Sequence, residues 1–152
     1  MKIAANKLFI ALLVIPVFYF TLCAEAISKK NYGVITVSEV TSVYDGDTFR
    51  ANIQEYPELI GYRIGIRING IDTPEMRGKC QKEKTLARAA KQFTVTQLRG
   101  AEKVELRNMK RGKYFRIVAD VYVDDKDLAQ MLIDNDLAVV YDGGRKAKDW
   151  CK

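Results

Sequence analysis

The spacing of apolar residues along this chain changes twice, and these changes limit the folds that it can adopt. Between residues 32 and 71 apolar side chains often alternate with polar ones, most clearly over residues 64–68, which is the two-residue period of a β-strand. Over residues 80–100 they recur every three or four residues with Lys and Arg between them, as in an amphipathic helix. Alternation returns over residues 103–123. A chain with this pattern is expected to pack at least one long helix against a sheet.

Turn residues divide these regions into short strands and two helices. Asp45-Gly46 is a strong hairpin dipeptide, and Gly100 stands where a helix would end. Asp127 with Gln130 three residues later resembles a capping box at the start of a second, short helix. The predicted strands are 34–37, 48–53, 62–71, 103–108 and 114–123, with a sixth at 137–141 that could close the sheet, and the predicted helices are 80–100 and 128–135.

This set of elements predicts a mainly β fold with helices, of the α+β class. Five or six short strands with one long and one or two short helices favour a five-stranded Greek-key barrel of the OB type over a sandwich or a parallel sheet. Residues 27–152 contain no low-complexity linker and no internal repeat, and a segment of this length suits one domain.

The first 26 residues have the organisation of a signal peptide and are set apart from the fold. Lys2 and Lys7 form a positive start, and residues 8–24 are uncharged and mostly apolar. Ala24-Glu25-Ala26 then supplies the small-x-small pattern that a signal peptidase reads. The protein is therefore expected to be exported, either secreted or periplasmic, after cleavage behind Ala26.

Two alternatives to cleavage stay open. An uncleaved membrane anchor is one, because residues 8–24 reach the lower limit of about 17 residues for a spanning helix. A lipid attached to Cys23 is the other, although Leu22 is bulky where a small residue would be expected. Pro16 in the apolar stretch and the Ala-x-Ala ending favour cleavage, so the three readings rank as cleaved, anchored and lipidated.

The chain contains no histidine and only three cysteines, and this restricts its chemistry. Without imidazole, the Ser-His-Asp, Cys-His and His-ligated zinc mechanisms are excluded. Three cysteines cannot fill a four-thiolate zinc site either. Any hydrolytic chemistry must come from carboxylates, Arg, Lys, Tyr or a hard metal ion held by oxygen atoms.

Cysteine pairing follows from the expected export. Cleavage would discard Cys23 and leave Cys80 and Cys151, an even pair in oxidising surroundings. We therefore predict a Cys80–Cys151 disulfide, which would close a long loop and fasten the C-terminal end of the chain.

The charge of the chain bears on its partners. Its 25 Lys and Arg against 19 Asp and Glu give a formal net charge of +6 at pH 7. A basic surface of this kind suits a polyanion such as nucleic acid, and a merely solvated basic surface is the alternative.

Two compact acidic segments stand at the ends of predicted strands. They are Asp45-Gly46-Asp47-Thr48 and Ile71-Asp72-Thr73-Pro74-Glu75. Carboxylates on neighbouring strand ends could supply the several oxygen ligands that a hard divalent cation needs. Taken singly, each segment is equally typical of a turn or of the end of a strand. An EF-hand is excluded, because the sixth residue counted from Asp45 is Arg50 rather than Gly.

Two arginines accompany these segments. Arg67 and Arg116 each lie on the polar face of a predicted strand, and Lys113 and Tyr114 stand just before the second. Paired guanidinium groups with a cation can stabilise the negative charge that develops on a phosphodiester under attack. Glu75 would then lie near the metal as a base for water.

Three stretches that contain these residues resemble the signature sequences of the staphylococcal nuclease (thermonuclease) family. They are residues 43–49, 67–75 and 113–122, and the resemblance keeps order and spacing over roughly residues 35–141. It implies an OB-fold, Ca²⁺-dependent nuclease that acts on DNA and RNA with little sequence preference and leaves 3′-phosphate ends. Separately from the resemblance, we expect a monomer and predict no obligate protein partner.

The resemblance assigns the metal and the water by matching position. Asp47 and Asp72 would be carboxylate ligands of Ca²⁺, with the backbone carbonyl of Thr73 as a third ligand. Glu75 would activate or orient the attacking water. Asp45 would lie near the metal.

The remaining assignments concern the substrate. Arg67 and Arg116 would bind the scissile phosphate, and Lys113 and Tyr114 would contact a terminal phosphate. Tyr141 matches, more loosely, a region where family members stack a base, and a core aromatic is the alternative for it.

The chain departs from the family pattern at two places beside these positions. Phe115 stands where a Gly commonly precedes the second Arg, and the loop over residues 54–61 is longer than in the family's best-known member.

Two other functions remain as alternatives to an enzyme. One is a non-catalytic OB-fold module that binds single-stranded nucleic acid. The other is a Ca²⁺-stabilised structural domain in which the arginines only pair with carboxylates. The binding module does not need the full set of Asp, Glu and Arg residues that the chain contains, so it is the minority interpretation. The structural domain stays open as a third possibility and would show Ca²⁺-dependent melting without hydrolysis.

Overall fold

The computed structural model describes residues 32–146 and 148–152. The predicted signal peptide over residues 1–26, including Cys23, lies outside the described residues. In the described part, no helix is both long enough and apolar enough to cross a membrane.

Strands predominate over helices in the described part of the chain, which confirms the predicted class. Nine strands and three helices follow one another along these residues. They are β1 (Ile35–Thr36), β2 (Glu39–Val43), β3 (Thr48–Asn52), α1 (Glu58–Gly61), β4 (Ile64–Ile68), β5 (Ile71–Asp72), α2 (Gln81–Gly100), β6 (Val104–Arg111), β7 (Arg116–Val123), β8 (Lys126–Asp127), α3 (Leu128–Asp134) and β9 (Val139–Val140).

The main sheet has the strand order β1-β6-β7-β4-β3-β2, with β8 added beside β7. All of its pairs are antiparallel except β4 with β7, which run parallel. The five strands of five or more residues, β2, β3, β4, β6 and β7, form a sheet of the OB type, as predicted. β5 and β9 form a separate small ladder.

The core lies between the inner face of this sheet and the helices. Alternate residues of β4 point inward, so that Ile64, Ile66 and Ile68 are buried together with Phe49 of β3. The long helix α2 buries the stripe Ala87, Ala90, Thr94 and Leu98, whose four- and three-residue steps hold one face of the helix against the sheet.

The prediction of the first hairpin was wrong about its first strand. The residues that pair with β3 across the Asp45-Gly46 turn are Glu39–Val43, whereas the predicted strand 34–37 contributes only Ile35–Thr36, which pairs with β6. β2 carries polar residues on both faces and has no buried position, so its apolar alternation is too weak to identify it.

The predicted strand 62–71 is interrupted by a turn. Asn69 and Gly70 separate β4 from β5, and Gly70 has a left-handed φ of +78°. The interruption redirects the chain, so that Ile71 and Asp72 leave the main sheet and pair with Val140 and Val139 of β9. The acidic segment therefore begins on a short strand of its own.

Both predicted helix starts have a capping side chain. Asp127 accepts hydrogen bonds from the backbone N–H groups of Ala129 (2.8 Å) and Gln130 (3.4 Å) at the start of α3. The reciprocal half of a capping box is missing, because the Gln130 amide donates to Asp134 instead (2.7 Å). Cys80 occupies the N-cap position of α2, where its sulfur accepts from the N–H of Glu83.

Candidate active site

The two acidic segments meet at the end of the β3–β4 hairpin. Asp47 stands immediately before β3, and its carbonyl oxygen accepts a hydrogen bond from the N–H of Ile68 at the end of β4 (2.8 Å). Asp72 ends β5, four residues beyond Ile68 in the chain. Both carboxylates are almost fully buried, with 2% of Asp47 and 3% of Asp72 exposed. Two buried acids at one edge of the sheet need positive charge nearby.

Arg67 supplies part of that charge. Its Nη1 donates to Oδ1 of Asp47 at 2.6 Å, and its Nη2 lies 3.8 Å from Oδ1 of Asp72. The same Nη2 donates to the carbonyl oxygen of Ile71 (3.3 Å). One guanidinium group therefore holds the two acidic segments together, because Arg67 lies opposite Thr48 in the antiparallel β3–β4 register.

The turn that carries Asp45 and Asp47 is anchored on α2. The buried Thr94 hydroxyl donates to the carbonyl oxygen of Gly46 at 2.7 Å. A Cβ on Gly46 would lie 2.8 Å from the Cβ of Ala90 and 2.9 Å from Cγ2 of Thr73, so only glycine fits there. Sequence reasoning did not identify Thr94, although its place on the buried stripe of the helix was a readable signal.

Asp45 is buried beside Asp47 and is 7% exposed. Its Oδ1 accepts a hydrogen bond from the N–H of Asp47 (3.2 Å). Burial, followed by the charge of Asp47, outweighs this bond and raises the pKa of Asp45 to about 7. The charges of Asp47 and Glu75 therefore add to the effect of burial on Asp45.

Lys146 is another residue that sequence reasoning missed. Its ammonium group lies 2.7 Å from Oδ1 of Asp72 and also contacts Oε1 of Glu75. Partial burial lowers the pKa of Lys146, but the hydrogen bonds and charges of the two carboxylates outweigh it and raise the pKa above its ordinary value. No sequence signal separated Lys146 from the other basic residues near the C-terminal end.

A divalent cation fits this cluster of acids. Oδ1 of Asp72 is a buried atom without a hydrogen bond of good geometry in the described part of the chain, and it is paired only with cationic groups. Arg67 pairs with Asp47 as well as with Asp72, and Lys146 pairs with Glu75 as well as with Asp72, so three carboxylates share two cationic groups. Asp45 adds a fourth carboxylate beside Asp47, and Thr73, the residue after Asp72, is 3% exposed. Oxygen donors that exceed the nearby positive charge are what a hard cation requires.

The loop that carries Glu75 depends on another acidic residue, Glu83 of α2. The Glu83 carboxylate is buried and accepts from the N–H groups of Glu75 (3.3 Å) and Lys79 (2.9 Å). Gly78 is required for this arrangement, because a Cβ there would lie 2.3 Å from Cδ of Glu83. Glu75 itself projects outward, with 53% of its side chain exposed, so a water molecule can reach its carboxylate.

A disulfide lies directly beneath this loop. Cys80 and Cys151 have their sulfur atoms 2.20 Å apart and their Cα atoms 5.9 Å apart, and 71 residues separate them in the chain. Glu83 contacts the Cys151 sulfur. Among the described residues, Cys80, Glu83 and Cys151 are the one set of three possible metal ligands whose ligand atoms all lie within 4.8 Å of one another. Because the two sulfurs are bonded to each other, they are not available as thiolate ligands.

Arg116 approaches the site from the parallel strand β7. It lies opposite Gly65, while Arg67 lies opposite Val118, so the two arginines project from the same face of the sheet, two residues apart. A Cβ on Gly65 would lie 2.9 Å from Cγ of Arg116, so this glycine makes room for the arginine. In the described residues no carboxylate lies within ion-pair distance of Arg116, which leaves its charge available to a ligand.

A cavity of about 590 Å³ joins most of the predicted residues. Tyr141 lies at its edge and is half-buried, with its hydroxyl donating to the carbonyl oxygen of Gly144 (2.7 Å). Tyr114 does not line this cavity, and the centre of its ring lies 5.5 Å from the guanidinium carbon of Arg116. The predicted residues that line the cavity are Arg67, Glu75, Lys113, Arg116 and Tyr141, and Lys146 lines it with them.

Comparison with known proteins agrees with this geometry. A family model described as staphylococcal nuclease homologue matches residues 65–150, which is more than half of the chain. A protein of Schizosaccharomyces pombe named a probable endonuclease is 31% identical over 127 residues, covering 68% of this chain and 55% of that protein. The chain therefore spans about half the length of this relative. From the extent of the family match, the chain belongs to the family of staphylococcal nuclease homologues.

Proposed function

We propose that this protein is a nuclease that hydrolyses phosphodiester bonds of DNA and RNA. The observation that carries the proposal is a single cavity that is lined by two arginines, Arg67 and Arg116, and by the exposed carboxylate of Glu75. Membership in the family and the endonuclease name of the yeast relative support the same reaction. Every nucleic-acid strand offers phosphate charges and bases that can stack, whatever its sequence. We therefore expect the enzyme to have little sequence preference.

The arginines and the glutamate have separate roles in the proposed reaction. Arg67 and Arg116 bind the non-bridging oxygens of the scissile phosphate from one face of the sheet and stabilise their growing negative charge. Glu75 orients a water molecule and accepts its proton as the water oxygen bonds to phosphorus. The 5′-oxygen–phosphorus bond breaks on the opposite side, and the bonding electron pair leaves with the 5′-oxygen, which takes a proton from solvent water and becomes a hydroxyl. Glu75 returns its proton to solvent, and a 3′-phosphate end remains.

The cation proposed for this site is Ca²⁺. Asp47 and Asp72 would hold it with the carbonyl oxygen of Thr73, and Asp45 and Glu75 would lie around it. When bound, the ion would supply positive charge that polarises the phosphate and its attacking water. In the structure Arg67 pairs with Asp47 and Lys146 pairs with Asp72. When the ion binds, these two cationic side chains must either move away or share the carboxylates with it.

We also propose that the protein is exported. A leader over residues 1–26 and a disulfide between Cys80 and Cys151 both suit an oxidising compartment outside the cytosol. Retention of the leader as a membrane anchor is the alternative.

The decisive experiment measures acid-soluble nucleotides released from denatured DNA and from RNA, in Ca²⁺ and in EGTA. Glu75→Gln should lower turnover roughly 10²- to 10⁴-fold, because it removes the proton acceptor, and should leave Ca²⁺ and DNA affinity largely intact. Glu102→Gln, an exposed carboxylate outside the cavity, is the matched control and should retain full activity.

Other results would point elsewhere. Normal turnover in Glu75→Gln would remove Glu75 from the mechanism. Tight binding of nucleic acid without hydrolysis by the unmodified protein would favour the binding module. Ca²⁺-dependent melting with neither binding nor hydrolysis would favour the structural domain.

A further inference from the structure

A second cavity, of about 630 Å³, adjoins the first. Tyr44, Thr48 and Arg116 line both cavities, so the two open into each other at the arginine that is proposed to bind phosphate. From there the second cavity runs across the outer side of β3 and β4 toward α1, where Leu59 and Tyr62 line its far end. We call this second cavity the β3–β4 groove.

The charges of the β3–β4 groove are of one sign. Four cationic residues line it, and none of its lining residues is an aspartate or a glutamate. Arg50 and Arg63 are linked through a hydrogen bond from Nη1 of Arg50 to the carbonyl oxygen of Arg63 (3.2 Å). Lys91 and Arg116 complete the set. A groove that is cationic and contains no carboxylate should bind a polyanion in preference to a neutral ligand or to one that carries charges of both signs.

Aromatic rings accompany these charges. Four of them are at least half exposed: Tyr44 (57%), Tyr62 (61%), Tyr114 (87%) and Phe115 (50%). Exposed aromatic rings grouped in one groove are unusual for a surface that only meets water, and they mark binding sites. Rings interleaved with cations are the arrangement that stacks bases while binding the phosphates between them.

The turn between β6 and β7 is shaped to present two of these rings. Tyr114 and Phe115 both have left-handed backbone angles, each with φ of 57°. Non-glycine residues rarely adopt this conformation, because it brings Cβ close to a backbone carbonyl oxygen, so the turn holds the rings outward against a local preference. Phe115 is the residue that replaces the glycine of the family pattern, and Arg111 lies over its ring at 4.1 Å.

We propose that the β3–β4 groove binds the nucleotides of a single strand next to the scissile phosphate. Bases would stack on Tyr62, Tyr114 and Phe115, and phosphates would contact Arg50, Arg63 and Lys91. This inference rests on the proposed function for the place where the strand enters, at Arg116. It adds a binding site of several nucleotides beyond the terminal phosphate assigned to Lys113 and Tyr114.

The test compares a long strand with a short one under conditions that prevent turnover. Binding of labelled oligothymidylate of about eight nucleotides, a length within the usual range for one OB fold, and of a dinucleotide is measured by fluorescence anisotropy in EGTA. Tyr62→Ala should weaken binding of the longer strand roughly 5- to 100-fold, the loss expected for one base stack. The dinucleotide should change less than about twofold, because it reaches only the first cavity.

Matched variants separate stacking and local charge from general effects. Tyr62→Phe keeps the ring and should retain the affinity of the longer strand. Arg63→Gln should weaken that affinity, whereas Lys126→Gln, which removes an exposed lysine of β8 outside the groove, should not. Circular dichroism melting of each variant checks that the fold is unchanged.

Several outcomes would overturn the inference. They are an unchanged affinity in Tyr62→Ala, an equal loss in Lys126→Gln, and competition by polyglutamate as strong as by oligothymidylate. Hydrolysis of thymidine 5′-(4-nitrophenyl phosphate) is measured in parallel in Ca²⁺, because this small diester needs only the first cavity. Hydrolysis of the diester with no effect of Tyr62→Ala on the long strand would reject the groove and keep the nuclease. If Tyr62→Ala weakens binding of the long strand but the diester is not hydrolysed, the groove stands and the nuclease is rejected.

Discussion

At the scale of single residues, the site is a balance between four acids and two basic side chains. Asp45, Asp47, Asp72 and Glu75 face Arg67 and Lys146, and burial together with these charges shifts the pKa values of Asp45 and Lys146. The acids and Arg67 stand in motifs that the sequence alone marks as a candidate metal and phosphate site. Lys146 does not, because it reaches Glu75 from 71 residues away and only the folded chain brings the two together.

Lys146→Met should strengthen Ca²⁺ binding. The ammonium group pairs with Asp72 and Glu75, so a cation must displace it to reach these oxygens. Its removal should raise the affinity roughly fivefold, corresponding to about 1 kcal/mol for a partly exposed ion pair. Isothermal titration calorimetry measures the change, and Arg145→Met at the exposed neighbouring position serves as the control. Weaker Ca²⁺ binding in Lys146→Met would show that the ammonium helps to build the site instead.

Asp45 should make the metal-free protein less stable as the pH rises. Its pKa is about 7 in the folded protein against 3.8 as the ordinary value, so between these pH values the folded state binds the proton more tightly. The stabilisation is complete below about pH 4 and is lost as the pH rises to about 7, by at most a few kcal/mol.

Urea unfolding of the unmodified protein and of Asp45→Asn, from pH 4 to 8 in EGTA, isolates this contribution. The difference in unfolding free energy between the two proteins should shift in favour of Asp45→Asn as the pH approaches 7. A difference that is constant over this range would mean that Asp45 titrates near its ordinary pKa.

At the scale of elements, the long helix supports the site from behind. Thr94 of α2 donates to the carbonyl oxygen of Gly46, and Glu83 of the same helix holds the N–H of Glu75. The period of the sequence predicts the helix over 80–100 and thereby the face that meets the sheet. It does not predict that a hydroxyl and a carboxylate on that face satisfy the backbone of two acidic loops, because those loops meet the helix only through tertiary packing.

Thr94→Val should destabilise the protein by about 1–3 kcal/mol, because it leaves the buried carbonyl of Gly46 without its donor. The loosened turn should also weaken Ca²⁺ binding through Asp47. Chemical unfolding gives the first quantity and calorimetry the second.

Thr96→Val on the same helix is the matched control. Thr96 is exposed and bonds only the carbonyl of Gln92 in its own helix, so its loss should cost under about 0.5 kcal/mol. Equal losses in Thr94→Val and Thr96→Val would mean that the turn does not depend on α2.

At the scale of the whole molecule, one covalent bond joins the C-terminal end to the start of α2. The Cys80–Cys151 disulfide fixes the end of a segment that also carries Lys146 and Tyr141, both of which line the first cavity. The buried Trp150 beside Cys151 packs the same end against the fold. The stability of the molecule and the shape of its site should therefore change together when this bond is lost.

Cys80→Ser should lower the melting temperature. In the chain-entropy model, a bridge that closes a loop of 71 residues restricts the unfolded chain by about 4 kcal/mol. Calorimetric melting measures the loss. Cys151→Ser and the double variant should melt at nearly the same temperature as Cys80→Ser, because each removes the same bond. An unchanged melting temperature in Cys80→Ser would contradict a stabilising bridge.

The sequence by itself determined the class of the fold, the long helix and the family, because these depend on local period and on motifs a few residues long. The Ile64–Ile68 alternation and the acidic segments at 45–48 and 71–75 are examples that can be read without a structure. The tertiary structure decided which strand pairs across the Asp45-Gly46 turn, that Lys146 lies among the acids, and that exposed rings and cations form the β3–β4 groove. These features depend on contacts between residues far apart in the chain, where packing and charge in three dimensions outweigh the preferences of near neighbours.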